Sequence, residues 1–226
     1  MINIITSFFV SKIVNPYIEH RNQELVNTLM RNVNSPVVDK IHLFVDDELS
    51  LQKLNSLFID SINSGKINVI SFGKQPLYYD FFDYATRHLT DKICMVTNSD
   101  IYIDQCDMSL IEKLNTDVKL LYALTRHEHD MSCPLINDYH GSHDSFIFKS
   151  PLNNISIETL KFTQNVWGSE AKLLSELYKQ GIVIKNPCRQ IKIVHLHKSN
   201  IRENNRITIK IHTSDNPEVH FPPVHL

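Results

Sequence analysis

Residues 40–72 read KIHLFVDDELSLQKLNSLFIDSINSGKINVISF. The first six are apolar enough, and branched enough at Cβ, for a strand that ends in the acidic pair Asp46-Asp47. Residues 49–63 then put Leu51, Leu54, Leu57, Phe58 and Ile62 on one helical face, and Gly65 closes that helix. Residues 67–72 form a second apolar run that stops at Gly73. Strand, helix and strand in this order require a crossover connection, so the two strands lie parallel in one sheet.

The same alternation extends outward on both sides. Residues 2–10 predict a strand, and residues 19–33 a helix with Leu25, Leu29 and Val33 at helical spacing, stopped by Asn32, Asn34 and Pro36. Downstream come an aromatic helix over 78–89 and a strand over 92–97 that runs into Asn98-Ser99-Asp100, then a short helix over 109–114 and a strand over 120–125. In the helix over 78–89, Phe81, Phe82 and Tyr84 read as core. This pattern predicts an α/β fold, a mostly parallel central sheet covered by helices on both faces. Ligands of such sheets bind outside the carboxyl ends of the strands. Thr6-Ser7, Asp46-Asp47 and Asp100 all fall at such ends.

Beyond residue 125 the regularity weakens. A short strand over 145–149, a helix over 170–180 capped by Gly181 and a strand over 190–197 are separated by long polar insertions, 127–143 and 151–168. The insertions read as the acceptor side of a site, a smaller region of the same domain. The expected organisation is one domain over 1–203, with a nucleotide-binding half (1–125) and an acceptor and catalytic half (126–203). Residues 204–226, with Pro222-Pro223 near the end, read as a C-terminal arm or a linker to further domains of a longer polypeptide.

Composition narrows the function. A chain of 226 residues with formal charge −2 and 42% hydrophobic residues suits a soluble globular protein and argues against nucleic-acid binding by phosphate neutralisation. No apolar run approaches the ~18 residues of a membrane span, and no signal peptide is expected from the first residues. Cys94, Cys106, Cys133 and Cys188 are scattered and form no C-x-x-C pair, which points to free thiols in a reducing compartment, the cytoplasm. The 26 Ile, 20 Asn and 16 Lys against 3 Ala and 5 Gly reflect A/T-rich codons, which mark a source and not an activity. Phosphate-binding and dinucleotide-binding glycine loops, the nucleophile elbow and H-E-x-x-H are all absent from the sequence.

Four segments carry chemistry-bearing residues. In an extended Asn98-Ser99-Asp100 the amide and the carboxylate would share a face toward one ion or phosphate, although an Asx turn explains the tripeptide equally. His195 and His197 share a face by alternation, followed by Lys198 and Arg202, whose charges suit phosphate. Zinc would want a third His or Cys nearby. Trp167-Gly168-Ser169-Glu170 sets a carboxylate at a helix start, where it either complements the helix dipole or serves as a base in an apolar pocket. Gly141-Ser142-His143-Asp144 supplies a second carboxylate in a glycine turn, and Arg126 follows the fifth expected strand.

Taken in order along residues 2–202, these segments resemble the GT-A class of nucleotide-sugar glycosyltransferases, and in particular small GT-A-like proteins and domains of large DNA viruses and some bacteria. Asn98-Ser99-Asp100 matches the Asp-x-Asp metal motif, with Asn in place of the first Asp. Residues 141–144 match the glycine loop, Ser169-Glu170 the acidic catalytic element with a single Glu, and His195 or His197 the metal-binding histidine. The resemblance implies transfer of a sugar from a nucleoside diphosphate, UDP favoured, to a hydroxyl of a glycan or glycoprotein acceptor, aided by Mn²⁺ or Mg²⁺. It further implies Asp100 with His195 or His197 at the metal, Lys198 or Arg202 at the diphosphate, and Thr6 with Asp46 or Asp47 at the base and ribose. Glu170 is then the base and Asp144 its rival, with Arg126 and Trp167 toward the acceptor. If viral, the protein would act in the host cytoplasm. A catalytically silent GT-A-like module that binds nucleotide or glycan, and a metal-dependent phosphohydrolase, are the alternatives.

Overall fold

The computed structural model describes residues 1–11, 15–117, 119–129, 143–153, 155–164, 166, 168–198 and 221–226. The βαβ reading of the first hundred residues holds. Strand β1 (Ile2–Phe8) leads to helix α1 (Pro16–Asn34), β2 (Val38–Val45) to α2 (Glu48–Asn63), and β3 (Ile67–Ser71) to α3 (Tyr78–His88) and β4 (Ile93–Thr97). Asn15 caps α1 by accepting from the Ile18 amide, and Asp47 caps α2 by accepting from Ser50.

After β4 the chain departs from the sequence reading. A turn at Asn98–Asp100 reverses it at once into β5 (Ile101–Cys106), a strand the helical and strand periodicities did not separate from its surroundings. Then come α4 (Met108–Thr116), β6 (Leu120–Leu124), β7 (His127–Glu128), β8 (Ser145–Lys149), a 3₁₀ turn (Ile157–Leu160), α5 (Ser169–Lys179), β9 (Val183–Lys185) and β10 (Ile191–His195).

Seven strands form the central sheet in the order β3-β2-β1-β4-β8-β6-β9, and β5-β10-β7 form a smaller one. The large sheet is mostly parallel: β8 runs antiparallel to both neighbours, β4 and β6, while the other pairings are parallel. Because β8 is reversed, its first residues arrive at the edge where β1, β2, β4 and β6 end. The small sheet takes β5 from the first half of the chain and β7 and β10 from the second.

Both faces of the large sheet are covered, which is why its strands read as unbroken apolar runs. On one face Ile4, Leu43, Met95 and Tyr122 pack with Val26 and Leu29 of α1, Leu54 and Phe58 of α2, and Leu110 and Leu114 of α4. On the other, Ile5, Phe44, Val96 and Phe146 pack with Phe81 and Phe82 of α3 and Leu173 and Leu177 of α5. Phe81 and Phe82 are fully buried as expected, and Tyr84 is half-buried at the margin of that layer.

Residues 221–226 lie against the second half: the Asn186 side chain donates to the Phe221 carbonyl (2.9 Å), and Gln190 brackets Leu226. Among the described residues no helix is long and apolar enough to cross a membrane, and Cys94, Cys106 and Cys188 are free thiols.

The Phe82 ring stacks on Phe148 at 4.9 Å with 2% of the residue exposed. Phe82→Ala is expected to lower unfolding free energy by ~3–5 kcal/mol, while Tyr17→Ala, at a site 74% exposed, changes it little. Urea unfolding midpoints of the two variants check this, and similar midpoints would disprove the packing argument.

Candidate functional site

The turn after β4 organises the site. Ile101 N–H donates to the Asn98 carbonyl (3.3 Å), so residues 98–100 curl instead of extending. The two side chains therefore diverge, contrary to the expectation that they face one ion. Asn98 donates to Asp144 Oδ1 (3.2 Å), while Asp100 turns toward α1 and β10. The turn geometry, and not strand alternation, decides where each side chain points.

Three nitrogen-bearing side chains meet at Asp100 Oδ2. His195 Nε2 lies at 3.2 Å, His197 Nδ1 at 3.8 Å and Arg21 Nη2 at 2.5 Å. The two imidazole rings stand 5.3 Å apart at 77°. Asp100, His195 and His197 each offer one ligand atom within 4.8 Å of the others, with side chains only about a tenth exposed (11–12%), so together they could hold a metal ion. Strand alternation in β10 brings the two histidines to one side, as the sequence predicts. The backbone fixes their height, since Leu196 N–H donates to the Asp100 carbonyl (2.8 Å).

From Asp100 a chain of alternating charges crosses the site. His195 Nδ1 bonds Glu128 Oε2 (3.2 Å), Arg126 Nε bonds Glu128 Oε1 (2.9 Å), and Arg126 Nη1 reaches Asp144 Oδ1 (3.1 Å). On the other side Arg21 Nη1 binds Glu24 Oε2 (3.2 Å), and Glu24 Oε1 accepts from the Lys198 amide (2.7 Å). Burial pushes the Asp100 carboxyl up, yet His195 and Arg21 outweigh it and hold the group well below the usual carboxylate range. Burial likewise works against a charged His195, but the hydrogen bonds its ring donates to Asp100 and Glu128 raise it to about 9. The His195 hydrogen bond takes Glu128 down to about 2, against its partial burial.

Glu170 is the exception in this landscape. It stands in the first turn of α5, after Gly168, whose φ of +84° makes the sharp entry to the helix. Burial, then the neighbouring Asp144 charge, raises its carboxyl to about 7. Asp144 is tied to Arg126 and Asn98, and its amide donates to the Leu124 carbonyl (3.0 Å). Beside Glu170 lie Tyr78, whose phenol is pushed well up by burial and the Glu170 charge, and Ser169, both fully buried. Of the two neighbouring carboxyl groups, Asp144 is paired with Arg126, and Glu170 is able to exchange a proton near neutrality.

The remaining expected residues fall out as follows. Thr6 donates to the Thr97 carbonyl (2.8 Å), bracing β1 against β4, and with Ser7, Asn98 and Ser99 it lines a small cleft under Leu25 and Leu29 of α1. Ser7 and Ser99 hydroxyls pair at 3.2 Å. Asp46 and Asp47 sit at the carboxyl end of β2, where Asp47 is occupied in part as the α2 cap. Lys198 is exposed at the rim. Trp167, Arg202, Gly141 and Ser142 lie outside the described residues. A wider groove between α5 and β9, lined by Tyr178, Val183, Ile184 and Phe221, contains none of the site residues.

Sequence reasoning missed Arg21 and Glu24 as members of the site. Arg21 and Glu24 come from α1, whose polar residues read as a solvated face. A carboxylate at Glu24 that is only 4% exposed leaves no mark on the sequence pattern.

The Glu170 shift has a signed consequence for stability. The unfolded chain releases this proton near 4.5 and the folded chain near 7, so between those values the folded state binds more protons and stability falls as pH rises. Glu170→Gln removes that fall, and the variant should gain on the order of 2–3 kcal/mol over wild type between pH 4 and pH 8. Urea unfolding across that range measures it, and parallel pH profiles would show that Glu170 is not the shifted group. No protein-family model matches this chain, and comparison with curated proteins finds none that matches it.

Proposed function

We propose that the protein is a GT-A-type glycosyltransferase that moves a sugar from a nucleoside diphosphate, UDP favoured, to a hydroxyl of a glycan or glycoprotein. The observation that carries this reading is the meeting of Asp100, which follows the carboxyl end of parallel strand β4, with His195 and His197, in a site whose charge chain runs on through Arg126 to Asp144, the neighbour of a carboxyl shifted to about 7. The strand order supports it too, with one reversed strand in a mostly parallel sheet and a second small sheet carrying the histidines.

The donor set of two imidazoles and one carboxylate favours Mn²⁺ over Mg²⁺, which prefers oxygen ligands. When bound there, the ion would supply Lewis-acid stabilisation of the departing diphosphate. The chain's own residues do the rest. Thr6, with Asp46 or Asp47, meets the base and ribose near the ends of β1 and β2, and Asn98 and Ser99 line the small cleft beside Thr6. Lys198, exposed at the rim, adds positive charge, and Arg202, four residues further along the sequence, is a second candidate cation for the diphosphate. Glu170 accepts the acceptor's hydroxyl proton, for which a carboxyl at about 7 is well matched. Asp144, paired with Arg126, orients the acceptor with Arg126 and Trp167. Direct deprotonation by a carboxylate implies inversion at the anomeric carbon, which the anomer of the product reports.

The test is a thermal-shift screen of UDP, GDP, dTDP and CMP with and without Mn²⁺, followed by turnover with candidate acceptors. One diphosphate should raise the melting temperature in a Mn²⁺-dependent way, and Asp100→Ala should abolish the rise. Glu170→Gln should keep the shift while lowering kcat by ~10²–10⁴-fold. Binding without turnover would mean a silent nucleotide-binding module, and acceptor-independent release of phosphate a phosphohydrolase. No shift with any of the four would overturn the transferase reading.

A further inference from the structure

We propose that Arg21 is a built-in competitor of the metal, a cation that occupies Asp100 in the empty site and must leave when a divalent ion binds. The argument rests on which atom is shared. Arg21 Nη2 stands 2.5 Å from Asp100 Oδ2, the same oxygen that faces His195 Nε2 and His197 Nδ1. An ion held by those three side chains would take that oxygen's lone pairs at ~2.0–2.2 Å. A guanidinium cannot stay against the same oxygen, because two cations a few ångströms apart in a site screened from water repel strongly.

Arg21 has somewhere to go. Its other nitrogen, Nη1, is held by Glu24 Oε2 and by the Leu196 carbonyl, each at 3.2 Å. Glu24 lies one helical turn further along α1, almost fully buried, so the guanidinium can release Asp100 and keep a carboxylate partner. Its side chain is 16% exposed, which leaves it room to turn. The Leu196 contact lies between the two histidines, so the same arginine that occupies the carboxylate also steadies the strand end that carries the imidazoles. The empty site is thereby kept neutralised and ordered, and metal affinity is set by an exchange of cations.

The inference needs the metal triad but not the transferase reading. It is tested by titrating Mn²⁺ alone into the full chain, without nucleotide, by calorimetry and by electron paramagnetic resonance of the free ion. Arg21→Gln should bind Mn²⁺ about tenfold more tightly than wild type, the scale expected on removing one close ionic competitor. Arg21→Lys, which keeps the charge on a shorter and less directional group, should fall between the two and serves if the glutamine variant fails to fold. Asp100→Asn should lose binding in either background. A purely structural ion pair would lower the melting temperature of both arginine variants and leave Mn²⁺ affinity unchanged or weaker. That outcome, or the absence of any Mn²⁺ binding, overturns the proposal. Tighter Mn²⁺ binding by Arg21→Gln in a protein that binds no nucleoside diphosphate would uphold it and sink the transferase reading alone.

Discussion

Asp100 is a carboxylate taken almost entirely out of water, and much of the site exists to make that tolerable. An unpaired buried charge costs several kcal/mol, so the group must be met by cations or donors. Arg21 from α1 and His195 from β10 do so, and each is in turn neutralised, by Glu24 and Glu128. Arg126 and Asp144 extend the alternation to the start of β8. This chain of charges ties one helix, the turn after β4, both strands partnering in the small sheet and the reversed strand of the large one. Uncharged contacts reinforce it: the Asn32 side chain donates to the Ile101 carbonyl and accepts from the Ile103 amide, fixing α1 against β5.

The large sheet was legible in the sequence because its strands are buried on both faces and flanked by helices of full length. Residues 2–8, 38–45, 67–71 and 93–97 left runs of branched apolar residues that no helix period explains. The small sheet was much less so. β5 follows β4 after only a three-residue turn, so the two strands have no helix or loop between them to separate them. β7 is two residues long, and β9, at the edge of the large sheet, only three, both below the length at which periodicity carries information. That β8 runs backwards is a matter of topology, which no local pattern encodes.

The site shows the same division. Asp100, His195 and His197 could be found because polar residues closing apolar strands stand out, and the alternation of His195 and His197 translated directly into space. Glu170 could be found from its place after a glycine at a helix start. Asn98 misled, because the extended geometry assumed for its tripeptide is replaced by a turn. Arg21 and Glu24 were beyond reach for a physical reason: a charged residue is placed inside only by its partner, and for Arg21 that partner, Asp100, lies 79 residues away.

The reversal of β8 has an evolutionary consequence. The stretch between β6 and β8 leaves and re-enters the sheet at adjacent positions, since Leu124 pairs with Ser145 and the Asp144 amide bonds the Leu124 carbonyl. Its two ends are clamped by the ladder itself. Lengthening a clamped connection costs little, about 0.6 kcal/mol per doubling. The chain between Glu128 and Asp144 can therefore lengthen or shorten between descendants while Arg126, Glu128 and Asp144 keep their places at its ends. The architecture thus lets the length of one connection vary while the charged residues at its ends, and the fold, stay as they are.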